Sequence, residues 1–297
     1  MTSAPSNASL LVNTQDIVGE SPVWCEKTHT LWWTDIDAQR LHALSWDKQQ
    51  IQTWPLDEPA GCIALHAQGG LIAAMTSGIF RLVPRSDGRF NHQLLHQAQH
   101  PHDNMRFNDG RTDRQGRFWS TTMVKKMGLA QAAGQLYVTQ DDQTRLVLEG
   151  FITPNGSAFS PDGKTFYLSD SHPSVQKVWA FPLHDDGTLG DRRLFIDMND
   201  YPGRPDGAAV DEDGCYWICG NDAGLVHRFT PEGQLDRSIT VPVDKPAMCA
   251  FAGPHLDTLV ITSIRPQNVP KGQEELAGAV FAIRPGVKGL ADTPYMS

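Results

Sequence analysis

Hydrophobic and polar positions along this chain follow a unit that occurs six times, at intervals of roughly 40 to 50 residues. In each unit a small or apolar stretch follows the first residue, and a turn comes about eight residues on, as at Gly116, Gly163 and Gly214. An aromatic or β-branched run follows, and a further strand-like piece closes the unit. The runs begin at Leu31, Leu71, Arg117, Thr165, Cys215 and Thr258. Short runs of this kind between turn signals predict β-strands throughout the chain.

This period is typical of a propeller blade of four short strands, so six units predict an all-β fold, a six-bladed β-propeller. The repeat runs through the chain without a break in composition, and we therefore expect one domain over residues 1–297. A strand-like segment at about residues 8–14 precedes the first unit. Because ring closure by such a segment removes exposed strand edges, we expect it to complete the last blade.

The residue at the start of each unit carries the candidate chemistry. These residues are Glu20, Gly61, Asn108, Asn155, Asp206 and Cys249. The innermost strands of a propeller line the central channel and run in the same direction, so these positions should gather on one rim. Converging carboxylates and amides are costly to desolvate unless a cation or a hydrogen-bonding group lies between them. A divalent cation is the simplest candidate, because hard cations bind carboxylate and carbonyl oxygens.

An alternative interpretation treats the same residues as ordinary turns, because Asn-Gly and Asp-Gly pairs are common turn formers. Each unit, however, already has a turn about eight residues later, and the first unit has Glu20, Ser21 and Pro22 in the equivalent place. Arg106 favours a functional site, since it stands two residues before Asn108 and shares a strand face with it.

Composition excludes several classes of function. A formal net charge of −9 argues against nucleic acid or an anionic membrane as the main partner. The N-terminus has no secretory signal pattern and no run reaches transmembrane length, so a cytoplasmic location is expected. The five cysteines show no paired spacing, which favours reduced thiols. The sequence also has no nucleophile-elbow, P-loop or dinucleotide motif.

Four segments resemble a known family. They are Gly19-Glu20-Ser21-Pro22-Val23-Trp24, Arg106-Phe107-Asn108-Asp109-Gly110-Arg111, Pro154-Asn155-Gly156 and Pro205-Asp206-Gly207. They are similar to the motifs of the regucalcin and gluconolactonase family of six-bladed propellers, over nearly the whole chain. The resemblance implies metal-dependent hydrolysis of a sugar (aldono-) lactone in carbohydrate catabolism. It also implies that Glu20, Asn155 and Asp206 are metal ligands and that Arg106 and Asn108 bind substrate.

The residues suit this chemistry. A divalent ion polarises a lactone carbonyl, and a carboxylate beside it removes the proton of the attacking water. Asp206 is the catalytic residue that we predict for the second role. Arg106 and Asn108 offer hydrogen-bond donors for sugar hydroxyls. An oxygen shell suits Ca²⁺, Mg²⁺ or Mn²⁺, Zn²⁺ stays open, and the sequence does not identify the ion.

The chain departs from the family after the second strand of the third blade. Family members often carry an acidic substrate-binding residue there, whereas this chain has Lys125 and Lys126 in an insertion with a helical or lid-like pattern. A cation at a substrate contact favours a substrate with an acidic group. Lys126 is therefore a candidate substrate-binding residue, and the alternative is that both lysines are exposed and unrelated to function.

The expected partner is a small sugar lactone, with neither nucleic acid nor membrane, and the chain is expected to be a monomer or a weak dimer. Three other functions compete with the lactonase hypothesis. They are a calcium-binding regulatory propeller protein, an organophosphate or aryl-ester hydrolase of the same fold, and a scaffold for protein partners.

Overall fold

The computed structural model describes residues 7–297, and in that range the strands form six antiparallel sheets of four strands each. The first twelve strands are β1 (Ser9–Val12), β2 (Gly19–Cys25), β3 (Thr30–Asp35), β4 (Arg40–Ser45), β5 (Gln50–Pro55), β6 (Ala60–Leu65), β7 (Leu71–Met75), β8 (Gly78–Pro84), β9 (Phe90–Gln97), β10 (Met105–Thr112), β11 (Phe118–Val124) and β12 (Gly134–Gln140). The others are β13 (Gln143–Phe151), β14 (Pro154–Phe159), β15 (Thr165–Asp170), β16 (Lys177–Pro182), β17 (Arg193–Asp197), β18 (Arg204–Val210), β19 (Tyr216–Asn221), β20 (Leu225–Phe229), β21 (Leu235–Thr240), β22 (Pro246–Ala252), β23 (Thr258–Ser263) and β24 (Val280–Ile283). Short 3₁₀ helices lie at Met127–Leu129 and Met198–Asp200.

The sheets are arranged as the six blades of a propeller, which confirms the predicted fold class. Blades 1 to 5 are β2–β5, β6–β9, β10–β13, β14–β17 and β18–β21, and blade 6 consists of β22, β23, β24 and β1. The innermost strands β2, β6, β10, β14, β18 and β22 each contact the innermost strand of both neighbouring blades, and β22 contacts β2. The ring is therefore closed around a central channel.

Both ends of the described chain contribute to closing the ring. Strand β1 pairs with β24 in an antiparallel manner, with Ser9 opposite Ala282 and Leu10 opposite Phe281. The first strand is thus the outer strand of blade 6, and the ring cannot open without breaking this pairing. Residues 1–6, part of the segment in which the sequence shows no secretory signal, lie outside the described residues. No helix within residues 7–297 is long and apolar enough to cross a membrane.

Buried tryptophans on the second strands pack between the blades and are fixed by aspartates. The indole nitrogens of Trp119 and Trp217 donate to Asp113 and Asp211, each over 2.8 Å. Because a buried indole N–H without an acceptor is costly, these contacts favour one orientation of each ring. The other oxygen of Asp211 accepts the backbone N–H of Cys215. Each aspartate thereby anchors the turn that follows the innermost strand.

Every innermost strand has a register irregularity beside its channel position. The irregularities lie between Glu20 and Val23, Ala60 and Cys62, Phe107 and Gly110, Asn155 and Ala158, Pro205 and Ala208, and Pro246 and Cys249. Such bulges change the direction of a side chain and increase the local twist. The Asn-Gly and Asp-Gly pairs therefore lie inside strands β10, β14 and β18, and the interpretation of them as hairpin turns is wrong.

One of the six channel positions was assigned wrongly. The irregularity between Pro246 and Cys249 corresponds to that between Pro205 and Ala208, so Ala247 and not Cys249 is the counterpart of Asp206. Cys249 is instead fully buried in the core between blades 5 and 6. The error arose because blade 6 has only small and apolar residues in this stretch, so no polar residue marks the register.

The C-terminal segment covers the far end of the channel. Asp292 pairs with Arg111 at 3.0 Å, and Arg111 also donates to the carbonyl of Ala208 at 2.9 Å. Tyr295 is fully buried, and its backbone N–H donates to Leu65 over 2.7 Å. Arg111 comes three residues after Asn108 on β10, so this segment lies at the opposite end from the first residues of the units.

Candidate active site at one rim of the channel

Four of the residues predicted for the site lie in the first halves of β2, β10, β14 and β18, and all four are buried. They are Glu20, Asn108, Asn155 and Asp206. The fifth position in this ring, Gly61, allows close packing: a Cβ atom there would lie 2.3 Å from the carbonyl oxygen of Phe107. The polar residues of the ring therefore come from blades 1, 3, 4 and 5, while blades 2 and 6 contribute Gly61 and Ala247.

Hydrogen bonds fix the two amides relative to each other. Asn108 Nδ2 donates to the carbonyl of Pro154 at 2.9 Å and to Asn155 Oδ1 at 3.1 Å. Asn155 Nδ2 donates to Ser171 Oγ at 2.9 Å. The orientation of the Asn155 amide is therefore set, and its oxygen keeps one lone pair for a further partner.

The two carboxylates are each held by one oxygen. Glu20 Oε2 accepts the backbone N–H of Ser21 at 3.1 Å, and Asp206 Oδ2 accepts from Asn221 Nδ2 at 2.7 Å. Among residues 7–297, Glu20 Oε1 and Asp206 Oδ1 have no hydrogen-bond partner. Together with Asn155 Oδ1, the site thus presents three oxygens that can bind another group.

The backbone beside Glu20 is unusual. Ser21 has a φ angle of 52°, in the left-handed region that non-glycine residues seldom adopt. Its hydroxyl donates to the carbonyl of Ile63 at 3.2 Å and accepts the N–H of the same residue at 2.9 Å. These bonds join blades 1 and 2 directly beside Glu20 and stabilise the conformation that positions its carboxylate.

Electrostatics show that the acidic groups share one environment. Burial raises the pKa of Glu20 well above its ordinary value, and the nearby charges of Asp206 and Asp109 raise it further. Burial also raises the pKa of Asp206 to about 7, although Arg204 and the hydrogen bond from Asn221 oppose the shift. Two buried carboxyl groups of this kind favour a bound cation, which would allow both to ionise.

Arg106 lies against the same group of residues. Its Nη1 donates to Asn108 Oδ1 at 2.7 Å and to the carbonyl of Phe107 at 2.8 Å. Burial lowers the pKa of Arg106, while the carboxylates of Asp37, Glu20 and Asp206 act in the opposite direction. Within the described residues its other N–H groups have no partner, and they remain available to a ligand.

Two residues of the site were missed by the sequence analysis. Asp109 is a buried carboxylate that accepts the backbone N–H of Ser157 at 2.6 Å and so connects blades 3 and 4; burial raises its pKa. Asn221 holds Asp206 and also donates to the carbonyl of Pro246 at 3.3 Å. The sequence did contain a signal for Asp109, namely its position directly after the channel residue Asn108. Asn221 had no comparable signal, because its contact depends on pairing with β18.

The structure does not bring Lys125 or Lys126 into contact with these residues. Both follow the end of β11 and are exposed. Neither ammonium group forms a hydrogen bond or an ion pair with any described side chain. The assignment of Lys126 to substrate binding stays a prediction.

A second group of potential metal ligands lies further out in blade 1. Asp16, Asp35 and His42 place one ligand atom each within 4.8 Å of one another. Arg40 already pairs with Asp35 at 2.9 Å, and His42 Nε2 lies 3.0 Å from Asp16 Oδ1. The two oxygens of Asp35 also accept backbone N–H groups that precede β2. We interpret this group as an ion-pair cluster that supports the start of β2.

Comparison with known proteins identifies the family. The family model described as SMP-30/Gluconolactonase/LRE-like region matches residues 18–265. The chain belongs to this family. It is 39% identical over 291 residues to a 6-deoxy-6-sulfogluconolactonase of Pseudomonas putida, covering 95% of this chain and 96% of that protein.

Two further members of the family match this chain over nearly its whole length. Regucalcin of Sus scrofa is 31% identical over 285 residues, covering 93% of this chain and 94% of that protein. The crystal structure of regucalcin from Agrobacterium tumefaciens, described as a calcium-binding protein, superposes with a TM-score of 0.90 at 26% identity and covers all of both chains. The family predicted from the four motifs is thus confirmed.

Proposed function

We propose that this protein hydrolyses a sugar lactone to the aldonic acid with the help of one divalent metal ion. Its family and its sulfogluconolactonase relative make it a lactonase by class. The observation that carries the proposal is the convergence of Glu20, Asn155 and Asp206. Glu20 Oε1 and Asp206 Oδ1 have no partner among the described residues, and Asn155 Oδ1 accepts only from Asn108. Arg106 supplies unpaired N–H donors beside them.

The three oxygens are suited to a hard cation. Glu20 Oε1, Asn155 Oδ1 and Asp206 Oδ1 would hold it, and two carboxylates would balance its charge. Such an oxygen set favours Ca²⁺, Mg²⁺ or Mn²⁺, while Zn²⁺ stays possible. When bound, the ion would polarise the lactone carbonyl and stabilise the negative charge that develops on its oxygen.

Asp206 acts as the general base in this proposal. Asn221 holds Oδ2, so Oδ1, the oxygen that would also bind the ion, has a second lone pair to accept a proton from the water that attacks the carbonyl carbon. The ring C–O bond then breaks, and the proton taken up by Asp206 passes to the ring oxygen, which becomes a hydroxyl group. Both N–H groups of Asn108 already bind protein atoms, so toward the substrate this residue offers its Oδ1 and positions Arg106 and Asn155.

Lactone hydrolysis monitored by acid release, with and without a chelator, tests the proposal. Asp206→Ala and Glu20→Gln should lose most of the activity and retain the β-sheet circular dichroism signal. Asp57→Ala, at an exposed carboxylate, is the matched control and should behave like the parent. Near-normal hydrolysis by Asp206→Ala in metal-stripped buffer would rule out the mechanism.

A calcium-binding regulatory role is the second candidate, because a solved structure of 26% identity is described as a calcium-binding protein. That role needs the three ligands but neither a proton acceptor nor Arg106. Calcium binding measured by calorimetry, together with the lactone assay, separates the two roles. An Arg106→Ala protein that binds the ion normally but hydrolyses lactones poorly supports the enzyme.

A further inference from the structure

Cations recur at one position of the innermost strands. Arg106 on β10, Arg204 on β18 and Lys245, which directly precedes β22, each stand two residues before a channel residue. Residues two apart on a strand share a face, so these cations lie at the rim outside the ring of channel residues. Blades 5 and 6 are neighbours, and Arg204 and Lys245 therefore belong to one part of the rim.

Arg204 and Lys245 share a single carboxylate. Arg204 Nε donates to Asp222 Oδ2 at 2.6 Å, and Lys245 Nζ binds the other oxygen, Asp222 Oδ1. No second ion pair is found for either cation among residues 7–297. Two positive charges thus face one negative charge, and the pair retains a net positive charge.

Asn221 connects this pair to the catalytic carboxylate. Its Oδ1 accepts a hydrogen bond from Arg204 Nη2 at 3.4 Å, while its Nδ2 donates to Asp206 Oδ2 at 2.7 Å. Arg204 and Asp206 are also two residues apart on β18, which corresponds to about 6–7 Å along the strand. That distance is comparable with the span from the carbonyl of a six-carbon lactone to the outer oxygens of an anionic group on its last carbon.

Both cations can still donate to a ligand. The side chains of Arg204 and Lys245 are 28% and 27% exposed. In the described part of the chain Arg204 Nη1 has no acceptor, and Lys245 Nζ has only Asp222. Anions with several oxygens bind best where charged donors approach from more than one direction.

We propose that Arg204 and Lys245 bind an anionic substituent of the lactone, a sulfonate, phosphate or carboxylate at the end of the carbon chain. This inference rests on the proposed function, in which Glu20, Asn155 and Asp206 act at the carbonyl end. Asp222 holds the two cations in place and competes with the substrate for them. The exposed Lys125 and Lys126, which contact none of these residues, are not required.

The test compares glucono-1,5-lactone with its 6-phospho and 6-deoxy-6-sulfo counterparts, after subtraction of spontaneous hydrolysis. The measured quantity is the ratio of kcat/KM for the charged lactone to that for the neutral one. The combined Arg204→Gln and Lys245→Met protein should lose about 10- to 100-fold in this ratio, as expected for the loss of charged hydrogen bonds. Asp222→Asn should increase the ratio, because the internal competitor loses its charge; a purely structural ion pair does not predict this increase.

Lys177→Met is the matched control. Lys177 is a half-buried lysine that pairs with Asp197 on the outer strands of blade 4, and its replacement should leave the ratio unchanged. The preference of the parent should also weaken with added salt, because the contact is partly exposed. The inference would be overturned if the combined Arg204→Gln and Lys245→Met protein kept the parent's ratio. It would also be overturned if the ratio fell instead in a combined Lys125→Ala and Lys126→Ala protein.

Failure of the inference and failure of the proposed function give different results. Hydrolysis of all three lactones with no charge preference refutes the anion site and leaves the lactonase intact. If no lactone is hydrolysed, the affinities of the protein for 6-phosphogluconate and gluconate, measured by calorimetry, still test the anion site. Tighter binding of the phosphate compound, weakened by the double substitution but not by Lys177→Met, supports the anion site, and equal binding of both compounds overturns it.

Discussion

Replacing Asp206 with Asn should stabilise the metal-free protein at alkaline pH while removing its activity. The buried carboxyl group has a pKa of about 7, against an ordinary value of 3.8. The folded protein therefore holds a proton that the unfolded chain loses between these pH values, and folding becomes less favourable as the pH rises through this window. A difference of about three units corresponds to about 4 kcal/mol in the free energy of unfolding above pH 7. Asn has nearly the same shape and carries no charge, so it escapes this loss.

Urea unfolding in the presence of a chelator measures the effect. At pH 8 the Asn variant should be more stable than the parent by up to about 4 kcal/mol, and near pH 4 the difference should largely disappear. Added calcium should then stabilise the parent much more than the variant, since a ligand stabilises only the state that binds it. If the free energies of unfolding of both proteins depend on pH in the same way, the pKa of Asp206 is not raised in the folded protein. Equal stabilisation by calcium would show that it is not a metal ligand.

Further predictions concern the substrate and the core. Arg106→Ala should lower kcat/KM by about 10- to 100-fold in the lactone assay, because a charged hydrogen bond is lost, while calorimetry should find unchanged ion affinity. Five- and six-carbon aldonolactones should be opened faster than aryl esters or phosphotriesters, and equal rates would favour the aryl-ester hydrolase alternative. If Lys125 and Lys126 do bind substrate, their double replacement with Ala will change the ratio of charged to neutral lactone turnover; the structure leads us to expect no change. Asp113→Ala should lower the free energy of unfolding by about 3 kcal/mol or more, because it leaves Arg117 and the Trp119 indole buried without their acceptor.

The local pattern of the chain predicted the strands that face the core and the strand β1 that closes blade 6, but it did not mark outermost strands such as β5 and β21. The second strands, such as β3 and β15, have aromatic and β-branched residues because they pack between blades. The outermost strands β5 and β21 consist mainly of exposed or half-exposed residues, since they form the outer edge of the ring. No hydrophobic periodicity marks such a strand, and its position follows only from pairing with its neighbour.

In the candidate site, too, some residues could be predicted from the sequence and others could not. Glu20, Asn108, Asn155 and Asp206 were predictable because each stands at the same place in a repeated unit, and the closed ring brings repeated places together. The contacts of Asn221, Arg204 and Lys245 arise between different strands and different blades. They depend on the bulge in β18 and on the rotamers of long side chains, which a sequence does not specify.

Asn221 relates the two halves of the proposed site to each other. One end of its amide donates to Asp206 Oδ2, which leaves Oδ1 for the proposed chemistry, and the other end accepts from Arg204. An anion that draws Arg204 outward would remove the second contact but leave the first, because Asn221 is also held by the carbonyl of Pro246. On the proposed function, binding of the charged end of a substrate would thus rearrange the rim without displacing Asp206. This separation would allow one channel to recognise a charged group and to open a lactone ring about two residues away along β18.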